Sequence, residues 1–239
     1  MHPMRKLRLT VIIPTYNEEE NIAGLLSRLV VQPDVEIIVS DGGSTDHTAE
    51  VCARFPVTFV RGRLGRGRQL NEGASKSTGD VLFFLHADSI VENRVFDDIP
   101  AAVKSGFRWG CCNLGFDRRG LAFKALAAAS GMRARLFSSC YGDQGIYCDR
   151  NLFFSAGGFP DIPFLEDICL SSKLRRYMSA CLLPGRVITS ARRFREGGFL
   201  KTLVKMQVIK MLFAFGVSAE RLVKMYHPVY KEGLCDRQL

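Results

Sequence analysis

The sequence predicts an α/β fold built on a mainly parallel, doubly wound sheet with helices on both faces. Three observations carry that expectation. Residues 81–85 (VLFFL) are apolar throughout and lie between Gly79-Asp80 and His86-Ala87-Asp88, the pattern of a strand covered on both faces. Together with the three short apolar runs ahead of them, which alternate with helical patterns, they make four successive strands, the signature of β-turn-α units. The third is composition: 239 residues, 47% of them hydrophobic, suffice to bury a sizeable core.

In chain order, residues 9–15 (LTVIIPT) read as the first strand. Asn17-Glu18-Glu19-Glu20 reads as an N-cap with a glutamate three residues on, opening a helix with Ile22, Leu25, Leu26 and Leu29 as its core-facing stripe. Residues 35–40 form the second strand and end in the polar turn Asp41-Gly42-Gly43-Ser44-Thr45-Asp46, which feeds a short helix to about Arg54. Residues 57–60 are the third, followed by an arginine and glycine loop at 61–68 and a helix over 69–77. Beyond Asn93 the order weakens. A helix is expected over 95–104, a strand over 109–115, an alanine-rich helix over 121–130, a short strand over 144–148, and helices over 150–156 and 166–178. Residues 200–215 place Leu200, Val204, Val208, Met211, Leu212 and Phe215 on one helical face among Lys201, Lys205 and Lys210. Packing on the domain and lying on an anionic membrane surface are both open for that face.

The formal net charge of +9 suits an anionic partner: a phosphorylated small molecule, nucleic acid or an acidic membrane. Eight cysteines at 52, 111, 112, 140, 148, 169, 181 and 235 show no CxxC pair, so they read as reduced thiols of a cytosolic protein. The N-terminus MHPMRKLRLT runs straight into a strand without a signal-peptide cleavage site, and no window reaches 18 uncharged apolar residues.

Ligands of open parallel sheets bind outside the carboxyl ends of the strands. Those ends carry Pro14-Thr15-Tyr16-Asn17-Glu18, Asp41, the arginines of 61–68, and His86 and Asp88. Two carboxylates, several arginines and a helix N-terminus round one crevice match an anionic nucleotide with a divalent cation. The segments VIIPTYNEEENI, IIVSDGGSTDHT, GDVLFFLHADS and GGFPDIPFLEDICLSSKLRR resemble the family 2 glycosyltransferases, over about residues 9–176. GRGRQLNEGA and HADS further resemble a bacterial subgroup found with radical-SAM proteins and linked to arsenosugar synthesis.

The resemblance implies the GT-A fold of nucleotide-diphospho-sugar transferases. It also implies that Pro14, Thr15, Tyr16 and Glu18 line the base and ribose, and that Asp41 contacts the base edge. Gly42 replaces the second aspartate of the family's turn, and the Asp-x-Asp signature falls on His86-Ala87-Asp88, which makes Asp88 the expected metal ligand. For His86 three roles stand: ribose, metal, or neither. Imidazole suits Mn²⁺ better than Mg²⁺. Glu166-Asp167 matches the family's Glu-Asp pair, whose aspartate is the general base, and its place at a helix N-terminus suits a negative charge. Asp143 is expected to position the acceptor. Arg66 and Arg68 are expected at the nucleotide sugar, and Arg192 and Arg193 either hold the leaving diphosphate or form a solvated basic face.

The expected function is therefore an inverting, metal-assisted glycosyltransferase, cytoplasmic or peripheral at the inner membrane face. Its donor is a nucleoside-diphosphate sugar, UDP-linked; nucleic acid is not expected as a partner. One domain is expected over 1–239, with a nucleotide half at 1–92, an acceptor half at 93–199 and an amphipathic segment at 200–239. A sugar-nucleotide nucleotidyltransferase is the rival enzyme, although its glycine and arginine loop belongs after the first strand and here follows the third. A basic protein binding anionic lipid or nucleic acid is the non-enzymatic rival; Leu64, Gly65 and Gly67 stand where interleaved aromatics are needed.

Overall fold

The structure, a computed structural model, describes residues 7–226 and within them every side chain but that of Arg193. Residues 227–239, Cys235 and the basic N-terminal residues 1–6 lie outside the described residues.

The first half runs β1 (Leu9–Thr15), α1 (Ile22–Leu29), β2 (Val35–Asp41), α2 (Thr48–Cys52), β3 (Thr58–Arg61), α3 (Arg66–Lys76), β4 (Val81–Phe84) and β5 (Ile90–Val91). The second half runs α4 (Val95–Lys104), β6 (Trp109–Phe116), α5 (Leu121–Phe137), a 3-10 turn at Gly142–Gln144, β7 (Ile146–Asp149), α6 (Arg150–Ser155), α7 (Glu166–Leu174) and β8 (Cys181–Thr189). Helices α8 (Arg192–Gly197), α9 (Phe199–Ala214) and α10 (Ala219–Tyr226) complete it. One eight-stranded sheet crosses both halves in the order β3-β2-β1-β4-β7-β6-β8-β5. Strands β1 to β4 are parallel; β7 is antiparallel to β4 and β6, β8 is parallel to β6, and β5 antiparallel to β8.

Alternation along the central strands builds a core on each face of the sheet. Val11, Ile13, Val39 and Phe83 pack with α1 and α4, whereas Ile12, Leu82 and Phe84 pack with α3, α6 and α7. Each fully buried large apolar side chain contributes about 1.5–3 kcal/mol, so both faces must be covered for the strands to persist. In α1, Ile22, Leu25, Leu26 and Leu29 are the buried positions, as their spacing predicts. The parallel register sets Thr15 beside Asp41 and Ile12 beside Phe84, so the strands end together along one edge.

Several expectations are corrected. Asn17 is not a helix cap: it has φ +54°, its Oδ1 accepts from the Thr45 N–H at 2.9 Å, and α1 begins only at Ile22. The arginines at 66 and 68 sit in the first turn of α3 rather than in a loop, because the helix starts at Arg66. Helix α5 continues to Phe137, and strands β5 and β8 were not expected. The stripe on α9 keeps its spacing but not its packing. Leu200, Val204, Val208, Met211 and Phe215 are exposed, while Thr202 and Ile209 are buried and Leu212 and Phe213 pack beside Leu165 and Leu222.

Candidate active site

The edge after β1 and β2 is built as a clasp. Asp41 is fully buried; its Oδ2 accepts from the N–H groups of Gly43 and Ser44, both at 2.9 Å, and its Oδ1 from the hydroxyls of Ser44 and Thr15. Arg61 braces the same turn, donating from Nη2 to the Ser44 carbonyl at 3.0 Å with Nε 3.7 Å from Asp41 Oδ2. Gln69 of α3, 3% exposed, donates through Nε2 to the carbonyls of Thr15 at 2.7 Å and Ser40 at 2.9 Å, stapling the ends of β1 and β2. Thr15 and Asp41 are the residues expected from the sequence at the nucleotide. Both side chains are buried and spent on shaping the turn, because a buried carboxylate must be saturated with donors.

Tyr16, at 41% exposure, and half-buried Pro14 and Glu18 are what remains open at that edge. Glu18 reports on its surroundings. Burial pushes its carboxyl above the usual range; Asn21, donating at 2.8 Å, opposes this, Asp88 adds to it and Arg192 opposes it. The end of β1, the end of β4 and the start of α8 thus share one electrostatic neighbourhood.

His86 and Asp88 follow β4, as expected of that strand, and both line a cavity of about 900 Å³ with Arg66, Asp143 and Arg192. Beside it lies a small void of about 10 Å³ bounded by Arg66, His86, Gly142, Glu166 and Asp167. Leu165, in the left-handed conformation at φ +65°, turns the chain into α7 so that Glu166 and Asp167 open the helix. The two carboxylates then part. Glu166 is 2% exposed and its Oε1 accepts from Arg66 Nη1 at 3.2 Å; burial pushes its carboxyl up, and Arg66 opposes that. Asp167 is half-buried, with Oδ2 accepting from the Gly142 N–H at 2.7 Å and Oδ1 from the Ile168 N–H at 2.8 Å. A Cβ on Gly142 would lie 2.8 Å from His86 Nε2 and 3.5 Å from Asp167 Oδ2, so His86, Gly142 and Asp167 form one cluster.

The far wall of the cavity comes from α5, the 142–144 turn and α9. The guanidinium carbon of Arg133 stands 3.3 Å from the centre of the Tyr141 ring and Lys210 Nζ 4.3 Å from it. Phe116, Phe123, Phe194 and Phe199 pack edge to face and tilted at 5.1–5.9 Å, tying β6, α5, α8 and the start of α9 together at the cavity mouth. Arg68 donates from Nε to Asp161 Oδ1 at 2.5 Å, outside the lining of the cavity. The side chain of Arg193 lies outside the described residues. Sequence reasoning missed Gln69, Arg133, Tyr141, Gly142 and Lys210. Gln69 alone carried a signal, one turn before Gly73 on the face where a Cβ would strike Ile12 at 2.5 Å.

Among the described residues no group of three or more His, Cys, Asp or Glu side chains gathers to hold a metal. The pair Asp88 and His86 nonetheless suits a cation whose other positions are filled by substrate phosphate oxygens, the usual arrangement for Mg²⁺ and open to Mn²⁺.

Residues 10–107 match the profile described as Glycosyl transferase family 2. Over that stretch the chain is similar to the family 2 glycosyltransferases. Over 109 residues it is 32% identical to the dolichol-phosphate mannosyltransferase of Pyrococcus furiosus, covering 42% of this chain and 31% of that protein. Over 108 residues it is 30% identical to the poly-beta-1,6-N-acetyl-D-glucosamine synthase of Staphylococcus epidermidis, covering 42% of this chain and 25% of that one. The chain therefore spans less than a third of the length of these two relatives. Among solved structures, the mannosyltransferase PcManGT of Pyrobaculum calidifontis, in complex with GDP-Man and Mn²⁺, superposes with a TM-score of 0.65 at 19% identity, covering 87% of this chain and 63% of that one. S. aureus TarS 1-349 in complex with UDP-GlcNAc gives 0.60 at 19% identity, covering 77% and 58%. At such identities the likeness speaks for the fold alone, which is GT-A.

Proposed function

We propose that the chain is an inverting glycosyltransferase transferring sugar from a UDP-linked donor to an acceptor hydroxyl, with Asp167 as general base. The observation that carries this reading is the cluster of Asp167, Gly142 and His86 at the inner edge of the cavity that Asp88 and Arg192 also line. Two backbone N–H groups fix the Asp167 carboxylate and leave it lone pairs for a hydroxyl proton. Arg192 and the nearby Arg66 supply positive charge toward the diphosphate as its bond to the anomeric carbon breaks. Asp88, with His86 as second donor, would hold a divalent cation, which would supply Lewis-acid stabilisation of the leaving diphosphate. Pro14, Tyr16 and Glu18 take the base and ribose, and Asp143 the acceptor. One unit comprising both halves suits this division of labour. The subgroup resemblance in GRGRQLNEGA and HADS supports a narrower acceptor class, in arsenosugar synthesis.

The test is a thermal-shift series with UDP and GDP, with and without Mn²⁺, followed by product analysis on a UDP-sugar. Stabilisation by UDP that requires Mn²⁺ and disappears in Asp88→Ala, with release of UDP, is expected. Release of pyrophosphate would instead establish the nucleotidyltransferase rival.

A second reading concerns location. The exposed stripe of α9, with Leu121, Met132 and Leu136 exposed on α5 and an overall charge of +9, supports peripheral contact with an anionic membrane. No helix among the described residues is long and apolar enough to cross one. Co-sedimentation with anionic but not neutral liposomes, reversed by salt, is expected; equal recovery from both lipids in the supernatant removes this reading.

A further inference from the structure

We infer that Arg133 and Lys210, both set over the ring of Tyr141, form a subsite for an anionic group on the acceptor, a phosphate or a carboxylate. The inference rests on the transferase reading above and names the acceptor class of that site.

Three neighbouring arginines have carboxylate partners: Arg66 has Glu166, Arg68 has Asp161 and Arg108 has Asp149. Arg133 does not. Its Nε donates to the Ser139 carbonyl at 3.0 Å and its Nη2 to Gln144 Oε1 at 2.5 Å, so neutral oxygens orient the guanidinium and leave its charge unbalanced. Lys210 makes neither a hydrogen bond nor an ion pair among the described residues. Both side chains line the 900 Å³ cavity. Burial, with the nearby Arg133 charge, pushes the Lys210 ammonium down to about 8, while Asp143 and Asp167 act in the opposite direction. Two partly desolvated cations facing one cavity are a costly arrangement until a ligand supplies negative charge.

Position decides which ligand. Tyr141 immediately precedes Gly142, whose N–H holds Asp167, so the two cations flank the candidate base. They are carried by α5 and α9, and neither helix follows one of the strand ends β1 to β4 where the nucleotide is expected. A hydroxyl directed at Asp167 by a molecule whose anionic group rests on Arg133 and Lys210 uses all three groups at once. Tyr141 lends its ring to both cations.

The experiment uses the full chain saturated with UDP and Mn²⁺, titrated by calorimetry with inorganic phosphate and, separately, with malonate. Binding of at least one of these is expected alongside bound UDP. Lys210→Met and Arg133→Met should each weaken it about tenfold or more, Lys210→Arg should retain it, and UDP affinity should be unchanged in all three. Whichever of phosphate and malonate binds more tightly identifies the acceptor's group. Mutual exclusion of UDP and both anions would assign the cations to the donor diphosphate and overturn the inference. Anion affinity equal in parent and both Met variants would overturn it as well. If the parent binds no UDP, the transferase reading fails, and the same variants titrated with phosphate alone still decide whether the subsite exists.

Discussion

The backbone N–H of Gly142 donates to Oδ2 of Asp167 at 2.7 Å, and the missing side chain of that glycine makes the room His86 occupies. One small residue thus sets both the orientation of the candidate base and the place of the imidazole that follows β4. Gly142→Ala would put a methyl 2.8 Å from His86 Nε2. Displacement of His86 is expected to lower turnover of a UDP-sugar by about tenfold or more, at a stability cost of about 1–2 kcal/mol. Steady-state release of UDP beside a melting curve checks it, and parental turnover would show that His86 need not sit where it does.

Asp167→Asn is expected to reduce turnover by about 10²-fold or more while UDP affinity holds. Asparagine has one acceptor oxygen for the two N–H groups that Asp167 now satisfies, so part of the loss will come from looser orientation. Glu166→Gln acts differently, because it removes a buried charge from its pair with Arg66. Its main effect is expected on stability, about 1–3 kcal/mol by urea denaturation, with a smaller change in turnover. A Gln variant that loses turnover while the Asn variant keeps it would exchange the two roles.

Gln69→Met keeps most of the side-chain volume and removes the donor that links the Thr15 and Ser40 carbonyls. Stability should fall by about 1–3 kcal/mol, and UDP affinity with it, since Tyr16 and Glu18 hang from the stapled strand end. Urea midpoints and calorimetry measure the two; an unchanged midpoint would mean that the carbonyls find other donors.

Lys210→Met should stabilise the protein at neutral pH. In the folded chain the ammonium titrates at about 8 against an ordinary 10.5, so the folded state binds fewer protons than the unfolded one between those values. The penalty for holding a charged lysine is therefore complete below pH 8 and is relieved as pH rises toward 10.5. The stability gain of the Met variant, on the order of 1–3 kcal/mol at pH 7, should shrink over that window. Melting temperatures of parent and variant across pH 7 to 10 report it, and a constant difference would contradict the depressed titration.

The order of the first half was legible because its signals are local. The apolar run at 81–84, the spacing of Ile22, Leu25, Leu26 and Leu29, and the polar turns after β1, β2 and β4 each lie within about a dozen residues. They placed the strand ends, and with them His86 and Asp88, whereas the Glu166-Asp167 pair was singled out by the family resemblance. Strand β8 escaped because Pro184 and Gly185 interrupt its apolar run. Only a register shift opposite Cys112 and Asn113 lets it pair through.

What the chain determined by itself was which residues stand at the edge of the sheet; which of them stay open at that edge was decided only in three dimensions. Thr15 and Asp41 occupy edge positions yet are buried, because the clasp formed with Ser44, Arg61 and Gln69 comes from three separate elements. The face of α9 was readable as a spacing, but Leu200, Val204 and Val208 are exposed because no other element among the described residues covers them. Arg133, Tyr141 and Lys210 have no sequence relation at all. They meet because the aromatic cluster of Phe116, Phe123, Phe194 and Phe199 anchors α9 beside α5, and side-chain burial and charge pairing follow from that long-range packing rather than from periodicity.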